Sequence, residues 1–337
     1  MYNLGLQYMQ GKGVRQDYLK AREWFQKAAD AGYRDATNNL GVLYEQGLGV
    51  TQDYVKAREL YEKASSAGCA CAMYNLAILY DDGKGVAQDK VKACQLYQES
   101  GDSGWNDALC NLGVMYQAGT GVPQDYVKAR ELFQKAADRG SALGATNLGM
   151  LYYYGVAVPQ DYARAREWYQ KGVQGGNPRA MCGLAKLYAD GLGVARDDRK
   201  ATELYQRAAE AGEVIGMFHI GFRYKHGLGV SRDYAKARDW YEKAAATGDS
   251  DAINGLGLLY ADGTGVTQDY YKALEFFQIA AQSGNGAAMY NMGSCFEKGH
   301  GVSRDLARAR EWYQKAVDSG YGDAKQALDN LNSIQHP

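Results

Sequence analysis

Apolar residues recur along this chain at helical spacing in short blocks, and the blocks recur at a constant interval. Between residues 36 and 46, Ala36, Leu40, Leu43 and Tyr44 share one side of a wheel turning 100° per residue. That spacing predicts an amphipathic helix over about 35–46, with its polar residues on the other side. Gly47 and Gly49 follow in the turn Gly47-Leu48-Gly49-Val50, where glycine takes the left-handed backbone at little cost and stops the helix. Asp53 is placed to accept from the first free amides of a second helix. That helix turns Ala57, Leu60, Tyr61 and Ala64 to the core, and Gly68 ends it.

The same helix-turn-helix block fills the chain. Its Leu-Gly pair starts at Leu4, Leu40, Leu76, Leu112, Leu148, Leu184, Ile220, Leu256 and Met292, always 36 residues apart, and Leu328 keeps the phase. The glycine becomes Ala77 and Ala185 in two copies, so only small residues stand there and a close helix contact is predicted. Aspartate holds the second helix's cap position in every copy, at 17, 53, 89, 125, 161, 197, 233, 269 and 305. A unit of this length cannot bury its apolar face alone, and stacked copies bury it against one another. The predicted fold class is therefore all-α: a solenoid of nine repeats over 1–332 as a single domain. A polar-faced cap helix over about 323–332 closes it, and a tail follows at 333–337. Gly172, Gly175 and Gly176 mark the fifth repeat as the easiest place for the stack to bend.

The Leu-Gly-x-x-Tyr of each first helix and the Ala-x-x-x-aromatic-x-x-Ala of each second helix resemble the tetratricopeptide pattern. The turn here is longer, and the period is 36 rather than 34. With Gly-x-Gly-Val-x-x-Asp-Tyr-x-Lys-Ala between the helices, the chain closely resembles the Sel-1-like repeat family over residues 1–332. The resemblance implies a right-handed αα superhelix with its first helices on the concave side. It also implies a non-catalytic protein-interaction scaffold, bacterial in origin, that binds a protein or peptide in its groove. The alternative it brings is an immunity protein that neutralises a secreted bacterial toxin by tight binding. Some secreted members staple each repeat with a disulfide at paired cysteine positions, a pairing this chain lacks.

Composition adds mainly exclusions. Lys plus Arg number 38 against 39 Asp plus Glu, with no basic block or acidic tail, which argues against nucleic acid as the main partner. No apolar run approaches the roughly 20 residues of a membrane span. Met1 stands opposite Thr37, so the first copy lacks the residues opposite Ala36, and an upstream segment is expected. The compartment stays open: exported or periplasmic if a signal was trimmed, cytoplasmic otherwise. Oligomeric state is open too. The six cysteines, 69, 71, 94, 110, 182 and 295, do not recur at a fixed pair of positions and read as structural thiols. Cys69-x-Cys71 lacks the second knuckle or the histidines of a zinc site. The Gly-x-Gly turns follow helices and recur in nearly every copy, unlike a nucleotide loop, and no nucleophile or metallohydrolase motif is present. No cofactor and no enzyme activity is expected.

Candidate binding residues follow from departures from the pattern. The positions equivalent to Asn38, Val42 and Glu45 should line the groove, and they are unusually apolar and aromatic. Tyr74, Ile78, Tyr153, Tyr154, Phe218, Phe222, Arg223, His226 and Tyr290 are the expected partner contacts, centred on the seventh repeat, because desolvated aromatic and guanidinium groups carry most interface energy. Trp105 is expected to cover an inter-repeat gap. The asparagines preceding the Leu-Gly leucine are expected to cap a neighbouring helix or to hold a ligand backbone. The second helices should be solvated, with pairs such as Glu59–Lys63 and Glu131–Lys135.

Overall fold

The computed structural model describes residues 1–333, and every element among them is an α-helix. By contacts the chain divides into two compact units, Met1–Asn177 and the residues from Pro178 on. The first unit holds α1 (Tyr2–Gln10), α2 (Tyr18–Asp30), α3 (Arg34–Gln46), α4 (Tyr54–Ser66), α5 (Ala70–Asp82), α6 (Lys90–Asp102), α7 (Asn106–Ala118), α8 (Tyr126–Asp138), α9 (Ala142–Tyr154) and α10 (Tyr162–Gln174). The second holds α11 (Pro178–Asp190), α12 (Asp198–Glu210), α13 (Val214–His226), α14 (Tyr234–Ala245), α15 (Ser250–Asp262), α16 (Tyr270–Gln282), α17 (Gly286–Lys298), α18 (Leu306–Asp318) and α19 (Asp323–Ser333). The boundary falls directly after the glycines of repeat five. Odd-numbered helices are the A helices and even-numbered ones the B helices; the expected tail beyond Ser333 lies outside the described residues.

Each A–B turn is tied at two successive carbonyls, and seven of the nine at a third. Gly47, at φ 68°, lets Leu48 N–H donate to the Leu43 carbonyl at 2.9 Å. Asp53 N–H donates to Tyr44 O at 2.9 Å, and Gln52 Nε2 donates to Glu45 O at 2.8 Å. The last carbonyls of α3, which a helix end leaves without partners, are thereby satisfied. All nine aspartates then cap their B helices as expected, as when Asp53 Oδ1 accepts from Lys56 N–H at 2.9 Å. The glutamine was not anticipated. It makes the same bond at 16, 88, 124, 160 and 268, and Arg304 Nε substitutes for it at 304.

The small residue of the A helix meets the aromatic of the following B helix. A Cβ on Gly41 would lie 2.5 Å from Tyr61 Cε1, and Gly5, Gly113, Gly149, Gly257 and Gly293 face Phe25, Phe133, Tyr169, Phe277 and Tyr313 in the same way. These aromatics are among the most deeply buried side chains of each unit. The hydroxyl of Tyr61 donates to the Glu45 carboxylate at 2.5 Å, and that of Tyr313 to Glu297 at 2.6 Å, so the buried phenol is both packed and satisfied. Leu40, Leu43, Ala57, Tyr61 and Ala64 are buried, whereas Tyr44 and Leu60 are only partly covered. Consecutive A helices also touch directly, α3 with α5, α7 with α9, α11 with α13 and α13 with α15. No pair of B helices among the described residues approaches as closely, which places the A helices on the inner side of each stack.

The cap helix α19 buries Ala324 and Leu331 and exposes Lys325, Gln326, Asp329 and Asn330. No helix among the described residues is long and apolar enough to cross a membrane.

Candidate protein-binding face

The three A-helix positions expected to line the groove behave differently. Those equivalent to Asn38 are largely core. Asn38, Cys110, Thr146, Cys182 and Asn254 are buried, and the aromatics of the row pack on the buried B-helix rings. Tyr74 stands 5.8 Å from Tyr97, Phe218 5.8 Å from Tyr241 and Tyr290 5.3 Å from Tyr313, ring centre to ring centre. Trp105 in turn lies 5.9 Å from Tyr74 and covers it. One turn further on, the row equivalent to Val42 opens to solvent at four positions, 114, 150, 186 and 222, while Leu6, Val42, Ile78, Leu258 and Ser294 stay partly covered. In the first unit Val114 is 49% exposed and Met150 42%; in the second, Phe222 is 39% exposed.

The nine residues expected to bind therefore separate. Tyr74, Phe218 and Tyr290 are half-buried and roof the core, and Ile78 is partly buried beside it. Tyr154 is 64% exposed and meets Tyr153 edge-on at 4.8 Å, and Tyr153 in turn contacts Tyr162. Phe222 and His226 are exposed together with rings 4.3 Å apart. In α13 the contacts continue from Phe222 through Phe218 and His219 to Tyr205, a continuous aromatic edge on the second unit. Burial, with Lys186 and Arg223 adding to it, pushes the His219 imidazole down to about 4, so it is neutral near pH 7.

Arg223 departs from expectation. It is 4% exposed, and its guanidinium turns inward to α12, where Nε donates to Thr202 Oγ1 and Nη2 to the carboxylate and the carbonyl of Asp198. A buried cation must be paired, and this one is paired with Asp198 and Thr202 of the preceding B helix. It braces two repeats and does not present itself to a ligand.

Four of the six asparagines, at 39, 75, 111 and 291, bond to a neighbouring A helix rather than capping one. Asn75 Nδ2 donates to Asn38 Oδ1 at 2.9 Å, and Asn291 Nδ2 to Asn254 Oδ1 at 2.8 Å. Asn39 and Asn111 reach the hydroxyls of Tyr2 and Tyr74. Each bond joins an A helix to the A helix of the preceding repeat.

The B helices differ too. Lys27, Lys171 and Lys315 lie over the rings of Trp24, Trp168 and Trp312 at 4.6, 3.9 and 4.3 Å, while Lys135 reaches Asp102 of the preceding repeat. A tryptophan face one turn back holds the ammonium in place of the expected glutamates. A second apolar row also stands on this side. Leu19, Val55, Val91 and Val127, at the start of four successive B helices, are each about half exposed. Their 36-residue spacing was legible in the sequence, but a first-turn position lies outside the amphipathic stripe and draws no notice there.

Reactive thiols are scarce. Burial pushes Cys94 and Cys295 up to about 11, and Cys110 and Cys182 up to about 12. Those four are protonated and inert near neutral pH.

The model of the Sel1 repeat matches nine times in tandem, at residues 1–33, 34–69, 72–105, 106–141, 142–177, 178–213, 214–249, 250–285 and 286–321. Among solved structures, the chain is similar to a protective antigen of uropathogenic Escherichia coli that displays an SLR fold. Identity to it is 32%, 98% of this chain and 78% of that one are covered, and the TM-score is 0.60. A Sel1 repeat protein from Oxalobacter formigenes shares 28% identity, over 72% of this chain and 96% of that one, at a TM-score of 0.63. No curated protein matches the sequence. With nine tandem matches, each spanning one A–B pair of the fold, the chain belongs to the Sel1-repeat family.

Proposed function

We propose that this protein is a non-catalytic scaffold that binds a protein or peptide across the solvent side of its A helices. The observation that carries the reading is the row of large apolar side chains at one repeat position, Val114 and Met150 in the first unit and Phe222 in the second. Folding normally buries such groups, and left exposed at a fixed spacing they give a partner apolar area to cover. The half-buried aromatics behind them, Tyr74 and Phe218, are held by the core and so lose little rotamer freedom on binding. In the second unit the centre of the face is the exposed pair Phe222 and His226, with Arg223 setting the packing beneath it.

The rival face is the B-helix row of Leu19, Val55, Val91 and Val127. A pull-down from the source organism identifies the partner, and two variants then distinguish the faces. One carries Val114→Asp, Met150→Asp and Phe222→Ala; the other carries Val55→Asp, Val91→Asp and Val127→Asp. All six positions are at least one-third exposed, so both variants should fold. The proposal expects the first to lose at least about tenfold in affinity and the second to bind as the parent does, since hot-spot truncations cost about 2 kcal/mol or more each. Loss confined to the second variant would move the interface to the B helices.

A further inference from the structure

Cys69 and Cys71 are two residues apart at the start of α5, and the fold adds a third group that their spacing does not reveal. Cys69 is the N-cap of α5 and has extended backbone, φ −80° and ψ 107°, so its side chain is turned to the same side as that of Cys71. The two sulfurs are 2.7 Å apart. Asp35, in the first turn of α3 one repeat earlier, brings Oδ1 to 3.5 Å from Cys69 Sγ. The three donor atoms lie within 4.8 Å of one another.

Two features set this cluster apart from the other thiols of the chain. Cys94, Cys110, Cys182 and Cys295 are buried without a second cysteine or a carboxylate in contact, and their hydrogen bonds run to Met115, Thr120 and Ser141 where they make any. Here two thiols and a carboxylate converge, and Asp35 makes no ion pair among the described residues. The guanidinium of the adjacent Arg34 is occupied by the carbonyls of Ala67 and Gly68 that end α4. The site also has a way in. Cys69 forms the buried floor with Ala64 and Ala72, and Cys71 and Asp35 are each partly exposed.

We propose that Asp35, Cys69 and Cys71 form a binding site for a thiophilic divalent cation, best fitted by Zn2+, with solvent completing the coordination on the Asp35 side. Two thiolates and a carboxylate are a borderline-soft donor set that suits zinc and discriminates against Mg2+ and Ca2+. In a tetrahedral site with Zn–S of about 2.3 Å and Zn–O of about 2.1 Å, sulfur and oxygen stand about 3.6 Å apart, near the Cys69–Asp35 separation found here. The sulfurs must part by about 1 Å, to about 3.8 Å, which a small χ1 rotation of the half-buried Cys71 provides. Because Asp35 belongs to α3 and the cysteines to α5, a bound ion would clip two successive A helices together. It would thereby stabilise the folded state by RT ln(1 + c/Kd), where c is the concentration of free Zn2+.

The full chain, reduced and free of metal, is titrated with Co2+ as the spectroscopic probe and then with Zn2+. Thiolate coordination gives charge-transfer absorption together with the visible bands of a tetrahedral ion. The expectation is a saturable signal that Zn2+ displaces, and a higher Tm with Zn2+ present. Cys71→Ser should abolish the charge-transfer signal, and Asp35→Asn should weaken the ion by about tenfold or more. Asp35 is partly exposed and stands outside the apolar core, so its variant tests the site even if a cysteine variant is destabilised. Three results would overturn the proposal: no charge-transfer absorption in the parent, absorption unchanged in both variants, or Tm raised equally by Zn2+ in all three proteins. Closure of a Cys69–Cys71 disulfide by oxidised glutathione, in a protein that ignores Co2+, would likewise replace it with a redox pair.

Discussion

The Arg223 guanidinium lies 2.7 Å from the Asp198 carboxylate, and the pair joins the B helix of the sixth repeat to the A helix of the seventh. In most repeats this junction is built the other way round, with an arginine on the B helix, as at Arg58, Arg130 and Arg238, and a leucine such as Leu79, Leu151 or Leu259 on the following A helix. At the sixth junction Thr202 takes the arginine's place, Arg223 the leucine's and Asp198 that of a tyrosine. The guanidinium is supplied from the opposite helix, and its carboxylate partner arrives with it.

That transposition predicts a coupled effect. Arg223→Ala leaves a cavity, takes the donor from Thr202 Oγ1 and the Asp198 carbonyl, and leaves the Asp198 carboxylate to Arg196 alone, and should cost about 3 kcal/mol in equilibrium denaturation. The triple change Asp198→Tyr, Thr202→Arg and Arg223→Leu restores the arrangement of the other repeats and should recover most of that loss. If the triple variant is no more stable than Arg223→Ala alone, the junctions are not interchangeable.

His219 gives the chain a pH dependence whose sign is set by burial. Its imidazole is ordinary in the unfolded chain, near 6.5, and is pushed down to about 4 when folded. Between those values the unfolded state binds more protons, so the folded state loses stability as the pH falls below about 6.5, and the loss levels off below about 4. At about 1.4 kcal/mol per unit, the contribution is up to roughly 3 kcal/mol. His219→Gln carries no such proton. Denaturation from pH 7 to pH 4 should show the parent losing stability relative to the variant, and parallel curves would refute the assignment.

Ala157 is the one non-glycine residue with positive φ, at 56°, among those described. It occupies the second turn-glycine position of the fifth repeat, where an L side chain is strained. Ala157→Gly should raise stability by about 0.5–1 kcal/mol, the left-handed strain outweighing the added chain entropy. At the equivalent Gly49, a Cβ would stand 2.7 Å from the Tyr18 carbonyl carbon of the preceding repeat, so Gly49→Ala should be destabilising. Thermal melts of the two single variants should move in opposite directions.

Leu112 is fully enclosed in the middle of the first unit. Leu112→Ala should cost about 2–5 kcal/mol, since neighbouring repeats can close the void only partly. A loss below about 1 kcal/mol would show that the interior there is loosely packed.

The sequence by itself determined the helix pairs, the turn between them, the aspartate caps and the register of every repeat. Those features repeat locally, and each copy restates the same chemistry: a glycine where the backbone turns left-handed, a small residue against an aromatic, an oxygen where amides lack partners. What the tertiary structure decided is which polar and aromatic groups look inward. Arg223 stands where leucine is usual and reads as a surface guanidinium until Asp198 and Thr202, both on the preceding B helix, are seen to absorb it. The asparagines read as helix caps or ligand contacts until the A helix one repeat earlier supplies acceptors for four of them. Cys69 and Cys71 read as a lone pair until α3 sets Asp35 beside them. In each case the partner lies 21 to 37 residues away, on a helix that only stacking brings near. Periodicity reports what each unit must bury, whereas contacts between units depend on the few positions where the copies differ.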